Sequence, residues 1–198
     1  MRERVANRRG VILDAATHLF SREGYGRVTT KQLAESSGVT EPALYRHFKS
    51  KEDIYDAVLE GIGERLQQEE IFDSLRLTND VGLLLLRLSE HIVEFVTEND
   101  DIYRLLLYAA LSGHSRAKRS YQMIRGNYVK FLTHQLDRLF KAGLIVEKNN
   151  EITSRCFVGM VFDCALGVTL WRNYIGKIYD PVDVIANNVP IYARGLAK

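Results

Sequence analysis

Between Thr30 and Phe48 the chain reads TKQLAESSGVTEPALYRHF, which has the residue types and intervals that a steep crossing of two short helices demands. Counting Thr30 as first, Ala34 is fifth, Gly38 ninth, Val39 tenth and Leu44 fifteenth. A small side chain must sit where the helices touch, a glycine must supply a left-handed turn, and apolar residues must lock the second helix. Such an elbow can face a polyanion. Thr30 and Lys31 fall in the first turn of the leading helix, where free N–H groups and the positive dipole end attract phosphate. On the second helix, which offers Thr40 to His47, Arg46 can fork onto a guanine, and Tyr45 or His47 can reach a phosphate or a base edge. Ala43 and the Pro42 ring suit a thymine methyl. Glu41 either accepts from a cytosine amino group or complements the helix dipole, and the dipole is the preferred reading. Lys51 opens the following helix, where a cation is slightly unfavourable; a phosphate partner explains it, as does a solvated surface.

Charge supports a polyanionic partner for this end only. Residues 1–51 carry ten Lys/Arg (Arg2, Arg4, Arg8, Arg9, Arg22, Arg27, Lys31, Arg46, Lys49, Lys51) against five acids (Glu3, Asp14, Glu23, Glu35, Glu41). The other 147 residues carry 17 basic and 20 acidic side chains, so the net +2 hides a basic head on a mildly acidic body.

Helical periodicity positions the elbow. Ile12, Ala15, Ala16, Leu19 and Phe20 form the inward stripe of a helix that stops at Gly24-Tyr25-Gly26. Thr29 to Gln32 reads as a capping box, and Thr40-Glu41-Pro42 as the start of a helix running to about Phe48. A fourth helix opens at Ser50 and continues to roughly Glu70. Beyond it come a stripe from Val81 to Val96, a shorter helix over 101–112, a long one from Tyr121 to near Gly143, an apolar helix over 152–176 and a last one over 181–197. Pro190 predicts a kink or an early end in the last. The expected fold is all-α with about nine helices: a three-helix DNA-binding domain over 1–50 and a helical ligand-binding and dimerisation domain over 51–198.

The stretch from Thr29 to Lys51, with SGVTEPALYRHF followed by KSKED, resembles the DNA-binding domain of TetR-family transcriptional regulators, and the similarity reaches back through AATHLFSREGYGRVT to cover about the first 55 residues. The resemblance implies phosphate contacts at Thr30, Tyr45 and Lys51, and positions at or near base edges for Thr40, Glu41, Pro42, Ala43, Arg46 and His47. It also implies a small-molecule effector, which shifts the population toward a state whose two heads no longer match adjacent major grooves about 34 Å apart, acting through the fourth helix. His91, Phe95, Tyr103, Tyr108, Tyr128, Phe131, Phe162, Asp163 and Trp171 are the candidates to line its pocket, with His134 as a further polar point; aromatics at helical spacing equally form plain core. Asp163, isolated in an apolar run, either is a costly buried carboxylate, pairs with Arg172 or Lys177, or turns to solvent.

One recognition helix covers few base pairs, so specificity calls for a homodimer on a (pseudo)palindromic double-stranded operator. The 152–176 helix is apolar nearly all round and needs cover; Gly159 and Gly167, with Trp171 and Val189, mark an expected four-helix dimer interface with the last helix, the alternative being a monomer's central core helix. A repressor is the expected outcome, and control by a protein partner is the second reading.

Enzyme and cofactor chemistry find no support. Five histidines (His18, His47, His91, His114, His134) lack any metal-binding spacing, and neither a GxSxG nucleophile elbow nor a phosphate-binding glycine loop occurs. Cys156 and Cys164 lie too far apart on a helix to bridge and are expected as buried free thiols in a reducing cytoplasm. The N-terminus lacks a signal-peptide core, and the longest apolar stretch, Phe157 to Trp171, is too short to span a bilayer, so a soluble cytoplasmic protein is expected.

Overall fold

The computed structural model describes residues 2–65, 69–174 and 176–198, and every element of regular structure among them is helical. The chain forms two compact units: Met1–Leu66 with Asp101–Met123, and Gln67–Asp100 with Ile124–Lys198. In packing, two later helices belong to the same unit as the basic head.

The first unit contains α1 (Arg2–Glu23), α2 (Thr30–Ser36), α3 (Glu41–Tyr45), α4 (Lys51–Arg65), α7 (Asp100–Leu111) and α8 (Ala117–Tyr121). Its core comes from the α1 stripe Ile12, Ala16 and Phe20, from Leu33, Ala34, Leu44 and Phe48 of the elbow, and from Ile54, Tyr55, Val58, Leu59 and Ile62 of α4, all buried. Phe20, Tyr25 and Tyr55 stack edge-on or tilted with centroids 4.8–5.8 Å apart. After α7, His114 sets its ring edge-on to Tyr55 and its Nε2 3.3 Å from Asp56, while Arg116 bonds both Asp56 and Glu60. These contacts, with partners some 60 residues away in sequence, fasten the α7–α8 segment to α4.

The second unit contains α5 (Glu69–Leu75), α6 (Val81–Glu98), α9 (Asn127–Lys141), α10 (Asn150–Val168) and α11 (Pro181–Leu196), with a π-turn over Gln122–Gly126 leading into α9. α10 is its hub and packs on α6, α9 and α11. Leu84, Leu85, Leu88, Ile92 and Val96 of α6 meet Tyr128, Leu132, Leu136 and Leu139 of α9 and Phe157, Val158, Val161, Phe162 and Ala165 of α10 in one buried core.

The differences from the periodicity reading have local causes. The described residues hold eleven α-helices because α5 and α8, at five to seven residues, are too short to show a stripe. The recognition helix ends at Tyr45, since His47 N–H tightens onto Leu44 O instead of continuing the α pattern. The expected extension of α4 through 66–68 lies outside the described residues. α10 stops at Val168, not 176: the Thr169 hydroxyl donates back to Ala165 O, and Trp171 N–H to Leu166 O. α11 runs on through Pro190 to Leu196. No described helix is long and apolar enough to cross a membrane.

Candidate nucleic-acid interface

The elbow is built from local hydrogen bonds that the sequence encodes. Thr29 Oγ1 accepts from Gln32 N–H at 3.2 Å while Gln32 Oε1 accepts from Thr29 N–H at 2.8 Å, which closes the capping box of α2. Ala34 is buried at the helix crossing, and Gly38 takes φ +66°, a left-handed value that a side chain would strain. Thr40 Oγ1 then caps α3 by accepting from Ala43 N–H at 3.3 Å, with Pro42 in the first turn. Leu44 is fully buried and anchors α3, so the opposite face of α3 must look outward.

That outward face carries the expected readers. Tyr45 is 49% exposed, although it is a large aromatic on a helix of five residues. Pro42 and Arg46 are exposed beside it, and Ala43 and His47 are half-buried. Thr40 and Lys31 are exposed, and Lys31 lies 3.9 Å from Glu35 in a surface pair too loose to hold it. Arg9, counted in the basic head but not singled out as a contact, places its guanidinium 5.0 Å from the Phe48 ring centroid, just past the end of α3.

Two of the expected contact residues have hydrogen-bond partners within their own unit. Glu41 Oε2 accepts from the Thr30 hydroxyl at 2.9 Å and ties the start of α3 to the start of α2. Thr30 therefore has only its backbone N–H to offer a phosphate. Lys51, expected on a phosphate, donates through Nζ to Tyr25 O and Val28 O, both at 2.9 Å, and lies 4.2 Å from the Tyr25 ring centroid. The ammonium thus clamps the start of α4 to the turn between α1 and α2, and the carbonyls offset the unfavourable dipole.

In the second unit, four of the nine expected ligand residues come together. Tyr128 has its ring 5.9 Å from His91 and 5.8 Å from Phe162. Phe72, not anticipated, stacks on Phe131 at 4.4 Å and meets Tyr128 edge-on at 5.6 Å. Arg125 stands 5.9 Å over the Phe162 ring. Phe95 is half-buried on α6, whereas Tyr103 and Tyr108 belong to the first unit, where Tyr108 packs against Gly24. Asp163 is exposed on α10, so no buried carboxylate arises, and Trp171 lies past the end of α10, 39% exposed and edge-on to Tyr174. His134 is also exposed.

The residues expected at a dimer surface have these places in the protomer. A Cβ on Gly159 would come within 2.7 Å of Arg125 Nη2, so this glycine makes room for a guanidinium of its own chain. Val189 is buried within the protomer, and Gly167 is half-buried in the last turn of α10. Among the exposed residues of α10 are Ile152 and Cys156, the latter expected to be buried, beside Arg155 and Asp163; among those of α11 are Val182, Ala186, Pro190 and Ile191, beside Asp183 and Arg194.

His91 Nε2 is buried without a hydrogen-bond partner among the described residues. Burial pushes its pKa below the ordinary 6.5, and Glu94 and Glu98 pull it only part of the way back. At pH 7 the ring is therefore neutral in the folded chain. As pH falls below 6.5 the unfolded chain takes up a proton that the folded chain refuses, and stability declines by at most about 1.4 kcal/mol per pH unit from this group. Melting temperatures from pH 7 to 5 are expected to fall more steeply in the wild type than in His91→Gln; parallel curves would contradict the assignment.

Comparison with known proteins places these features in context. Residues 12–58 match the family model described as bacterial regulatory proteins, tetR family. The nucleoid occlusion factor SlmA of Vibrio vulnificus is 37% identical over 113 residues, which cover 56% of this chain and 54% of that one. SlmA of Aliivibrio fischeri is 32% identical over 163 residues, covering 80% and 82% respectively. The chain thus spans about half the length of the Vibrio relative and four fifths of the Aliivibrio one. NalD, the secondary repressor of the MexAB-OprM multidrug efflux pump in Pseudomonas aeruginosa, superposes with a TM-score of 0.69 over 99% of this chain and 98% of its own, at 21% identity, which is a likeness of fold.

Proposed function

The chain belongs to the tetR family of bacterial regulatory proteins, and on that premise we propose that it is a cytoplasmic, homodimeric transcription repressor, released from its operator by a small, largely apolar effector. The observation that carries the DNA-reading half is the outward face of α3, with Tyr45 and Arg46 exposed while Leu44 beneath them is fully buried. Residues 1–50 supply the contacts: Lys31 and the α2 N-terminus on phosphate, and Thr40, Pro42, Ala43, Tyr45, Arg46 and His47 along the major groove. The aromatic cluster around Tyr128, with His91 at its edge, is the place for the effector. Release follows if the effector binds more tightly to the state whose heads mismatch the two half-sites.

Dimerisation uses the exposed strip of α10 and α11. Ile152 and Ile191, 58% and 53% exposed, are its apolar anchors. Replacing both with glutamate is expected to turn a dimer into a folded monomer in sedimentation velocity and to abolish tight operator binding; a dimer that persists would place the interface elsewhere.

The curated relatives support a second reading. They are named nucleoid occlusion factors, not repressors, which favours a DNA-bound factor controlled by a protein partner. Selection of bound duplexes from a random pool tests the shared core of both readings. The expected product is an inverted repeat with half-sites about one helical turn apart. No enrichment over the input pool would refute sequence-specific binding.

A further inference from the structure

The first unit holds a part-open cavity of about 220 Å³ between α1, α4 and α7. Leu13 and Thr17 of α1, Ala57, Val58, Gly61 and Ile62 of α4, and Ile102 of α7 line it. None of these carries a charge, and Val58, Ile62 and Ile102 are buried. At Gly61, one of the lining residues, an added Cβ would meet nothing within 4 Å, so the cavity wall is open there. Well-packed interiors leave few voids larger than a water molecule. An apolar cavity of about 150 Å³ stays dry and takes benzene, so the volume here suits a fused bicycle. The lining has one hydroxyl to fix orientation. Thr17 Oγ1 donates its hydrogen to Leu13 O at 2.8 Å, which leaves only acceptor capacity toward the cavity.

We propose that this cavity binds a neutral, mostly apolar molecule of bicyclic aromatic size with a single hydrogen-bond donor, the donor pointing at Thr17 Oγ1. Indole is the simplest molecule of that description. The site lies in the unit that carries the helix-turn-helix, and its residues are distinct from the aromatic cluster assigned to the effector. It borders α4, the helix that Lys51 clamps to the α1–α2 turn, so an occupant stiffens the DNA-reading unit from within.

Thermal denaturation of the full chain with millimolar indole tests this. Indole is expected to raise the melting temperature in a saturable way, since a ligand bound only to the folded state stabilises by mass action. Gly61→Leu fills the cavity and is expected to weaken indole at least tenfold. Thr17→Val keeps the shape and removes the acceptor; it is expected to bind about fivefold more weakly. Indole-2-carboxylate, whose charge none of the described lining residues balances, is expected to give a smaller rise. No saturable rise with indole, an undiminished response in Gly61→Leu or Thr17→Val, or an equal response to the carboxylate would each overturn the proposal; should Gly61→Leu fail to fold, Thr17→Val decides. Because the readout is stability and not operator release, failure here leaves the effector reading of the second unit standing.

Discussion

An Arg46→Ala protein is expected to fold as the wild type does and to lose about 30- to 20,000-fold in affinity for its selected operator. A bidentate arginine–guanine contact discriminates by about 1–3 kcal/mol, and a dimer loses it twice, hence about 2–6 kcal/mol in all. Folding survives because Arg46 is exposed at the C-cap of α3, where its backbone, not its side chain, closes the helix onto Ala43 and Leu44. The loss should be confined to the specific complex. Fluorescence anisotropy at one fixed salt concentration, on the selected duplex and on a scrambled one, separates the two. If the scrambled duplex loses as much as the operator, Arg46 meets phosphate and not a base edge.

Lys51→Met is expected to cost about 2 kcal/mol of stability, ~4–8 °C in melting temperature for a chain of this size, and to leave the salt dependence of DNA binding almost unchanged. The substitution keeps most of the apolar stem but removes both donors from Tyr25 O and Val28 O, together with the cation over the Tyr25 ring. Partial solvent access lets water replace some of this, which is why the figure lies at the low end for two charge-assisted bonds. A lysine that neutralises a phosphate contributes about 0.9 to the slope of log K against log salt, and a dimer would forfeit about twice that. Affinity itself should drop modestly, because loosening the α1–α2 turn lets the elbow drift relative to α4. Unchanged stability with a slope reduced by about two would return Lys51 to the phosphates.

The elbow was legible residue by residue because each of its devices is local. Gly38 at φ +66° and the reciprocal bonds of Thr29 and Gln32 involve partners within four residues, so sequence spacing alone specifies them. The buried stripe of Ile12, Ala16 and Phe20 follows from helical period in the same way. The polar roles were not legible. Lys51 finds carbonyls 23 and 26 residues back, Glu41 finds a hydroxyl 11 residues back, and Arg125 fills the notch left by Gly159. A flexible charged side chain near a helix end can satisfy itself on phosphate, water or a carbonyl at similar cost, and only the neighbours brought in by packing decide among them.

The body shows the same split at larger scale. Apolar periodicity identified α6, α9 and α10 as helices with buried faces, yet could not say that α10 would be covered largely by α6, α9 and α11 of its own chain, or that Asp163 would lie on the exposed side. Nor could it assign α7 and α8 to the unit of the DNA-reading head, which rests on His114 and Arg116 meeting Asp56 and Glu60. Sequence by itself determined which segments coil and which residues of the elbow turn, cap and anchor, since those depend on backbone sterics over a few residues. Tertiary structure alone decided which face meets which, because burial is non-directional: a hydrophobic stripe specifies that it must be covered, and leaves its partner to the global packing.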